Sequence, residues 1–292
     1  MDLKFQQVTI IGVGLLGGSF ALSLREHFHV EKIIGVSSRI QSAERAQQLR
    51  IIDEASDDIA DAVKSADLVL IATPMLSMEK VLSKMVSAVR PDCLITDVGS
   101  VKSVLVDIVK QKFPSLVSQF VFAHPIAGGE KSGAQAAVLG LFKNKHVILT
   151  ETDVCNADFV TKSKAIWKAF GSVVKEMSAS EHDALFAYTS HLPHVVAYAL
   201  VNNLHQHENC QQFFQFASAG FYDFTRIASS DPIMWRDICL SNKQEVLESL
   251  SQFSDQITRL QDAIEKDDSQ GLEQMFGEAK KARDEGLIKK MS

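Results

Sequence analysis

Residues 8–24 read Val8-Thr9-Ile10-Ile11-Gly12-Val13-Gly14-Leu15-Leu16-Gly17-Gly18-Ser19-Phe20-Ala21-Leu22-Ser23-Leu24, a β-branched run, a glycine-rich turn and an apolar stretch in direct succession. That is G-x-G-x-x-G placed between a strand and a helix near the start of a βα unit, the context in which the motif holds a dinucleotide. Gly12 allows the tight turn and Gly14 lets the backbone approach a pyrophosphate. Gly17 permits close helix–strand packing, and the N–H groups opened by Leu15 and Leu16 at the helix start face the phosphates. A glycine-rich turn without a ligand is the alternative, and the strand before and helix after weigh against it.

The end of the second strand bears on which dinucleotide is bound. An NAD site places an acid about 20 residues on, to accept from the ribose hydroxyls. Here the chain reads Ser37-Ser38-Arg39, two small hydroxyls and a cation, which suit a 2′-phosphate. NADP is therefore favoured over NAD, with a solvated helix-start Arg39 as the alternative.

Outward from this motif, β-branched runs alternate with amphipathic stretches, the pattern of βα units on a parallel sheet. Strands are expected over 8–12, 32–36, 68–72, 94–97, 120–122, 146–149 and 173–175. Helices are expected over 15–28, 42–50, 78–89, 101–112 and 156–170. Beyond about Ala179 strand patterns stop and helical periodicity runs through 181–205, 232–266 and 269–288. The expectation is an α/β doubly wound nucleotide-binding domain over 1–177 and an all-α domain over 178–292, which fits two ordinary domains in 292 residues.

Residues 1–177 carry net charge +1 and residues 178–292 carry −7. No clustered basic face is present for nucleic acid. No signal-peptide pattern opens the chain and no apolar run approaches the ~20 residues of a bilayer crossing, so a cytoplasmic protein without a membrane partner is expected. Cys93, Cys155, Cys210 and Cys239 lack the spacing of a zinc site, and reduced thiols are expected.

Three segments fall just past strand ends, where a doubly wound sheet presents ligands: Ala72-Thr73-Pro74, Thr96 to Lys102, and Ala123 to Gly133. Thr73 and Pro74 are placed at the cofactor. Ser100 reads either as a helix N-cap or as a ligand contact. His124, on a strand end before Pro125 and a glycine pair, suits proton transfer near neutrality. In the helical half, His191 and His194 are three residues apart around Pro193, but a metal needs a third ligand, so no metal is expected. Arg226 stands among aromatic residues in an acidic half. It reads either as a partner of Asp223 or Asp231, or as a bidentate clamp for a substrate carboxylate.

The blocks GVGLLGGS (12–19), TDVGSVK (96–102), HPIAGGEKSG (124–133), SHLPH (190–194), GFYDFTRIA (220–228) and SDPIMWRDI (230–238), in that order, resemble the prephenate dehydrogenases, a tyrosine-biosynthesis family that includes arogenate-using members. The resemblance spans nearly the whole chain. It implies a nucleotide-binding domain, a helical dimerisation domain giving a homodimer, and oxidative decarboxylation of a cyclohexadienol with hydride passing to NAD(P). By motif, His124 accepts from the ring hydroxyl, Ser100 lies near that hydroxyl and the nicotinamide, His194 contacts substrate and Arg226 holds the ring carboxylate. Two departures stand out. Ser37-Ser38-Arg39 lacks the acid of NAD-using members, and Gly129 stands where several relatives carry a hydroxyl residue. Prephenate is favoured over arogenate, with Glu130 able either to meet an arogenate ammonium or to cap its loop. The length leaves room for the catalytic unit and no fused module.

Two rivals have sequence signatures. A β-hydroxyacid dehydrogenase would need a catalytic lysine on the helical half, and residues 179–241 contain none. A non-catalytic nucleotide sensor would have no use for His124 and Arg226 in coherent motifs.

Overall fold

The computed structural model describes residues 3–129 and 131–291, with side chains described as far as residue 286. Among the described residues, strands β1 (Lys4–Ile11), β2 (His29–Val36), β3 (Glu54–Ser56), β4 (Leu68–Ile71), β5 (Leu94–Asp97), β6 (Phe120–Pro125), β7 (His146–Thr150) and β8 (Val173–Met177) form one sheet. Its order is β3-β2-β1-β4-β5-β6-β7-β8. Helices α1 (Leu15–His27), α2 (Ile40–Gln48), α3 (Ile59–Val63), α4 (Met78–Met85), α5 (Ser103–Lys112) and α6 (Ala157–Ala169) connect the strands. The central strand explains the doubly covered sheet: Leu68 and Leu70 pack into the core with Phe20 and Leu24 of α1, while Val69 and Ile71 enter a second core with Met78 and Leu82 of α4. A strand buried on both faces reads as an unbroken apolar run. Chain order reverses between β1 and β4, which opens the ligand crevice at their carboxyl ends.

The expected parallel sheet holds from β3 through β6, whereas β7 pairs antiparallel with β6 and β8 follows β7 in parallel. Strand β3 and helix α3, of three and five residues, are too short to show a period. Helices α7 (Ala179–Phe186), α8 (Leu192–His205), α9 (Cys210–Gln215), α10 (Ala219–Thr225) and α11 (Pro232–Ser241) belong with the sheet to one compact unit, Met1–Lys243. A second compact unit, Gln244–Ser292, contains nearly all of α12 (Lys243–Glu265) and α13 (Ser269–Met291).

Ala179–His205 is long and apolar enough to cross a bilayer by length and composition, contrary to the expectation that no such run exists. Its apolar residues are interleaved with polar ones, which is why no uninterrupted run shows. Its His182, Asp183 and His191 are buried and hydrogen-bonded within the protein.

Asp97, at the end of β5, ties the two strand-end loops together. Its Oδ2 accepts from Lys102 Nζ at 2.5 Å and from the Gly99 amide at 2.7 Å, and its Oδ1 accepts from the Ala123 amide at 3.0 Å. Lys102 Nζ also donates to the Ala123 carbonyl at 2.8 Å, and both charged side chains are fully buried. Replacing Lys102 alone leaves a buried carboxylate without its counter-charge, so Lys102→Met should lower unfolding free energy by about 3–5 kcal/mol. Adding Asp97→Asn should recover much of that loss in urea titrations. A single variant no less stable than the double would show that the pair is not what holds the loops.

Candidate active site

The glycine turn has the geometry its residues require. Gly12 adopts φ +99°, and a Cβ there would overlap the Ala72 carbonyl oxygen; one at Gly17 would overlap the carbonyl oxygen of Gly12. Gly14 faces open space, with no atom within 4 Å of where a Cβ would stand. The turn thus meets its own sheet tightly and leaves its outer face to a ligand. Leu15 and Leu16 open α1 and are half-buried. Thr73 and Pro74 follow β4 beside Gly12, and Ser37-Ser38-Arg39 follow β2, where the Arg39 amide donates to Ser37 Oγ at 3.3 Å. Arg39 is exposed. All of these expected cofactor residues sit at the carboxyl ends of β1, β2 and β4, so the cradle fits a dinucleotide.

His124, at the end of β6, is half-buried, and its Nδ1 lies 2.7 Å from Nε2 of His182. His182 Nδ1 lies 2.8 Å from Oδ1 of Asp183. The carboxylate can only accept, so His182 carries its proton on Nδ1 and its Nε2 accepts from His124 Nδ1–H. His124 Nε2 is thereby left as a lone-pair acceptor. Phe186 packs edge-on against His124, with ring centroids 5.1 Å apart, and also against His182 at 4.6 Å. Burial alone would raise the Asp183 carboxyl, but the bonds from His182 and from the amides of Lys102 and Ser103, both at 2.8 Å, outweigh it and hold Asp183 below its ordinary value.

Neither His182 nor Asp183 is marked by motif in the sequence. The available signal was a His-Asp pair on the inward face of an apolar helix, following Ser178, which caps α7 with Glu181 in a reciprocal capping box.

Ser100 is not an N-cap, because α5 begins at Ser103 with Lys102 at the capping position, and the amides of Lys102 and Ser103 are satisfied by Asp183 instead. Ser100 stays partly exposed on the loop pinned by Asp97. The expected single helix over 181–205 is broken by a π turn at Ala187–His191, where the Leu192 amide bonds to the Ala187 carbonyl. Pro193, in the first turn of α8, has no N–H to continue the ladder. The two histidines of this segment have separate partners: His191 Nδ1 lies 3.1 Å from the Asn242 amide, and His194 Nδ1 donates to the Ser190 carbonyl at 2.9 Å. The His194 ring stacks on Trp235 with centroids 3.7 Å apart and planes 20° from parallel. Arg226 is exposed at the turn after α10, close enough for its charge to depress His194. Gly129 lies beside Leu15, so the loop after β6 approaches the glycine turn; Glu130 lies outside the described residues.

Burial is the chief reason that four imidazoles titrate low: His124 well below its usual value with help from His182 and Lys102, His191 at about 4, and His182 and His194 also lowered. The folded values lie beneath the unfolded value of about 6.5. Unfolded chain therefore binds more protons in acid, and stability present above pH ~6.5 is lost as pH falls. Calorimetric unfolding between about pH 5 and 6.5 should show a falling Tm with net proton uptake; net proton release there would contradict buried neutral rings.

A concavity of about 590 Å³, lined in part by Lys4, His29, Asp67 and Lys162, lies toward the amino ends of the strands and includes none of these residues. Both halves of the chain match known proteins. The family model described as "Prephenate dehydrogenase, nucleotide-binding domain" matches residues 20–176, and "Prephenate dehydrogenase, dimerization domain" matches residues 178–278. Prephenate dehydrogenase of Bacillus subtilis is 39% identical over 286 residues, covering 97% of this chain and 77% of that protein. Cyclohexadienyl dehydrogenase of Zymomonas mobilis is 34% identical over 281 residues, covering 96% and 95%. The crystal structure of Aquifex aeolicus prephenate dehydrogenase with hydroxyphenyl propionate and NAD+ superposes with TM-score 0.89 at 38% identity, covering 98% of this chain and 99% of that one. With both halves matched and a relative so similar along nearly its entire length, this chain belongs to the prephenate dehydrogenase family.

Proposed function

We propose that this chain converts prephenate to 4-hydroxyphenylpyruvate by oxidative decarboxylation. The observation that carries the reading is the Asp183–His182–His124 chain, which presents one acceptor nitrogen at the carboxyl edge of the sheet beside the glycine turn. A nicotinamide dinucleotide held on the glycine turn would supply the hydride acceptor. His124 Nε2 accepts the hydrogen bond of the ring hydroxyl, or its proton, as the carbon bearing it gives up hydride. The electron pair of the ring carboxylate bond then completes the aromatic ring as carbon dioxide departs. Ser100, on the loop braced by Asp97, orients the same hydroxyl. Arg226 holds the ring carboxylate by its planar fork, and His194 faces the side chain.

The cofactor we favour is NADP, because Ser37, Ser38 and the exposed Arg39 supply donors and a charge for a 2′-phosphate where no acid follows β2. The Aquifex relative was solved with NAD+, so NAD remains the alternative. We also infer a homodimer. The helical half exposes the large apolar side chains Leu185, Phe216, Tyr222, Phe224, Ile233 and Leu240, which an interface could cover, and the family's matching domain is named for dimerisation.

Steady-state assays crossing prephenate and arogenate with NADP and NAD should give the highest kcat/KM with prephenate and NADP. No reduced cofactor in any of the four mixtures would overturn the functional reading, and an NAD preference would overturn the cofactor reading alone. His124→Asn keeps a polar group that can still hydrogen-bond but removes the basic ring nitrogen that can take the proton, so turnover should fall by about 10²–10⁴-fold with substrate binding retained. Undiminished turnover would remove His124 from the chemistry.

A further inference from the structure

His182 lies wholly out of water on α7, yet both of its ring nitrogens are engaged. Nδ1 meets Asp183 and Nε2 meets His124, whose ring stands edge-on with centroids 5.0 Å apart. With Asp183 itself buried, a second proton reaches or leaves the His182 ring through His124. The charges around the two rings are unequal. Around His124 stand His182 on α7, Lys102 on the loop after β5 and His191 on the π turn, each of which opposes a positive charge on it. Around His182, Asp183 on its own helix and Asp97 at the end of β5 favour a positive charge, against Lys102. The amides of Lys102 and Ser103 hold Asp183 ionised, so the counter-charge is in place before any proton moves. The outer ring faces the proposed reaction and the inner ring faces a carboxylate, and a proton passed inward thus leaves a disfavoured site for a favoured one.

We propose that His182 is a proton store: as His124 Nε2 takes the proton of the ring hydroxyl, His124 Nδ1 gives its own to His182 Nε2, and both return when the ring aromatises. This rests on the function proposed above and adds a positioning residue that acts through His124. In the hydride step the C–H electron pair leaves with its hydrogen, the O–H bond breaks and a carbonyl forms on the ring. His124 stays neutral with its protons exchanged, and the positive charge rests on His182 against Asp183. When the bond to the ring carboxylate breaks, its electron pair enters the ring and displaces a pair onto the carbonyl oxygen. That oxygen recovers the proton from His124 Nε2, and His124 Nδ1 recovers its own from His182. Substrate and product each carry one ring hydroxyl, so no proton is gained or lost overall. A store closed to water is therefore sufficient.

His182→Gln removes the inner base and retains a carbonyl that can accept from His124 Nδ1–H. With prephenate and the cofactor the chain uses, kcat should fall about 10²-fold while KM stays within about threefold, the pattern of a contribution made only in the transition state. The unaltered enzyme loses its acceptor once the pair has bound one proton, and that proton rests on His182. In the variant His124 alone is left to titrate, the weaker base of the two, so the acid limb of the kcat profile should move to lower pH. Undiminished kcat overturns the proposal, and so does a lower kcat with the acid limb unmoved, the result for a residue that only packs. A measurement on the unaltered protein is independent of how the variant folds. Single-turnover hydride transfer in mixtures of light and heavy water should slow along a bowed curve as the deuterium fraction rises, because two protons move. A straight line, the mark of one moving proton, or no isotope effect overturns the proposal. Absence of oxidation by the unaltered enzyme with either substrate and either cofactor would instead overturn the proposed function, a different result.

Discussion

The Asp183 carboxylate is the joint on which the site depends. One oxygen accepts from the Lys102 amide and from His182 Nδ1, and the other accepts from the Ser103 amide. The two amides belong to the uncapped start of α5, where free N–H groups and the helix dipole favour an anion. Asp183 itself rides on α7, so one ionised side chain finishes a helix of the sheet region, fastens a following helix to it and sets a histidine tautomer. Its own carbonyl accepts from Asn242 at 2.9 Å, which brings the break between α11 and α12 to the same joint.

Two further acids repeat the device at neighbouring points. Asp97 gathers Gly99, Lys102 and Ala123 around the end of β5, and Asp237 reaches from α11 to the loop after β4. Each takes backbone amides that would otherwise be left unpaired where strands end, the condition under which a buried carboxylate is tolerable. The strand-end loops hold catalytic candidates without regular secondary structure of their own, and these acids supply the rigidity that such loops otherwise lack. Much of the acidity of the helical half is exposed surface, but Asp183 and Asp237 are interior and act as connectors.

How far the sequence discloses this depends on the range of the interaction. Gly12 and Gly17 are legible because backbone geometry within one turn demands glycine, and the sheet is legible because β4 is buried on both sides. His124 is legible from its place at a strand end before Pro125. His182 is not, since its partner is 58 residues away in the chain and its own neighbourhood reads as an ordinary helix. The π turn at 187–191 is hidden for a similar reason: one extra residue in a turn hardly alters an apolar pattern. Ser100 shows the opposite failure, where a local rule for caps points to the wrong residue because the cap is supplied from Asp183, 81 residues beyond the Lys102 amide it accepts from.

The buried histidines also explain why neutral imidazoles suit this pocket better than charged ones. A dianionic substrate would be attracted by imidazolium, but a protonated His124 has no lone pair for the ring hydroxyl. Burial solves the conflict by separating tasks along the site. His124, with its proton fixed on the side of His182, keeps a lone pair on Nε2, which the proposed reaction would use at the ring hydroxyl, while positive charge is carried by the exposed Arg226. His194 holds its Nδ1 proton toward Ser190 and stacks on Trp235, so donor and acceptor positions there are set by neighbours before substrate arrives. The fold itself thus decides which of these ring nitrogens donate and which accept, and groups whose polarity is set in advance need not be reoriented when a ligand is bound.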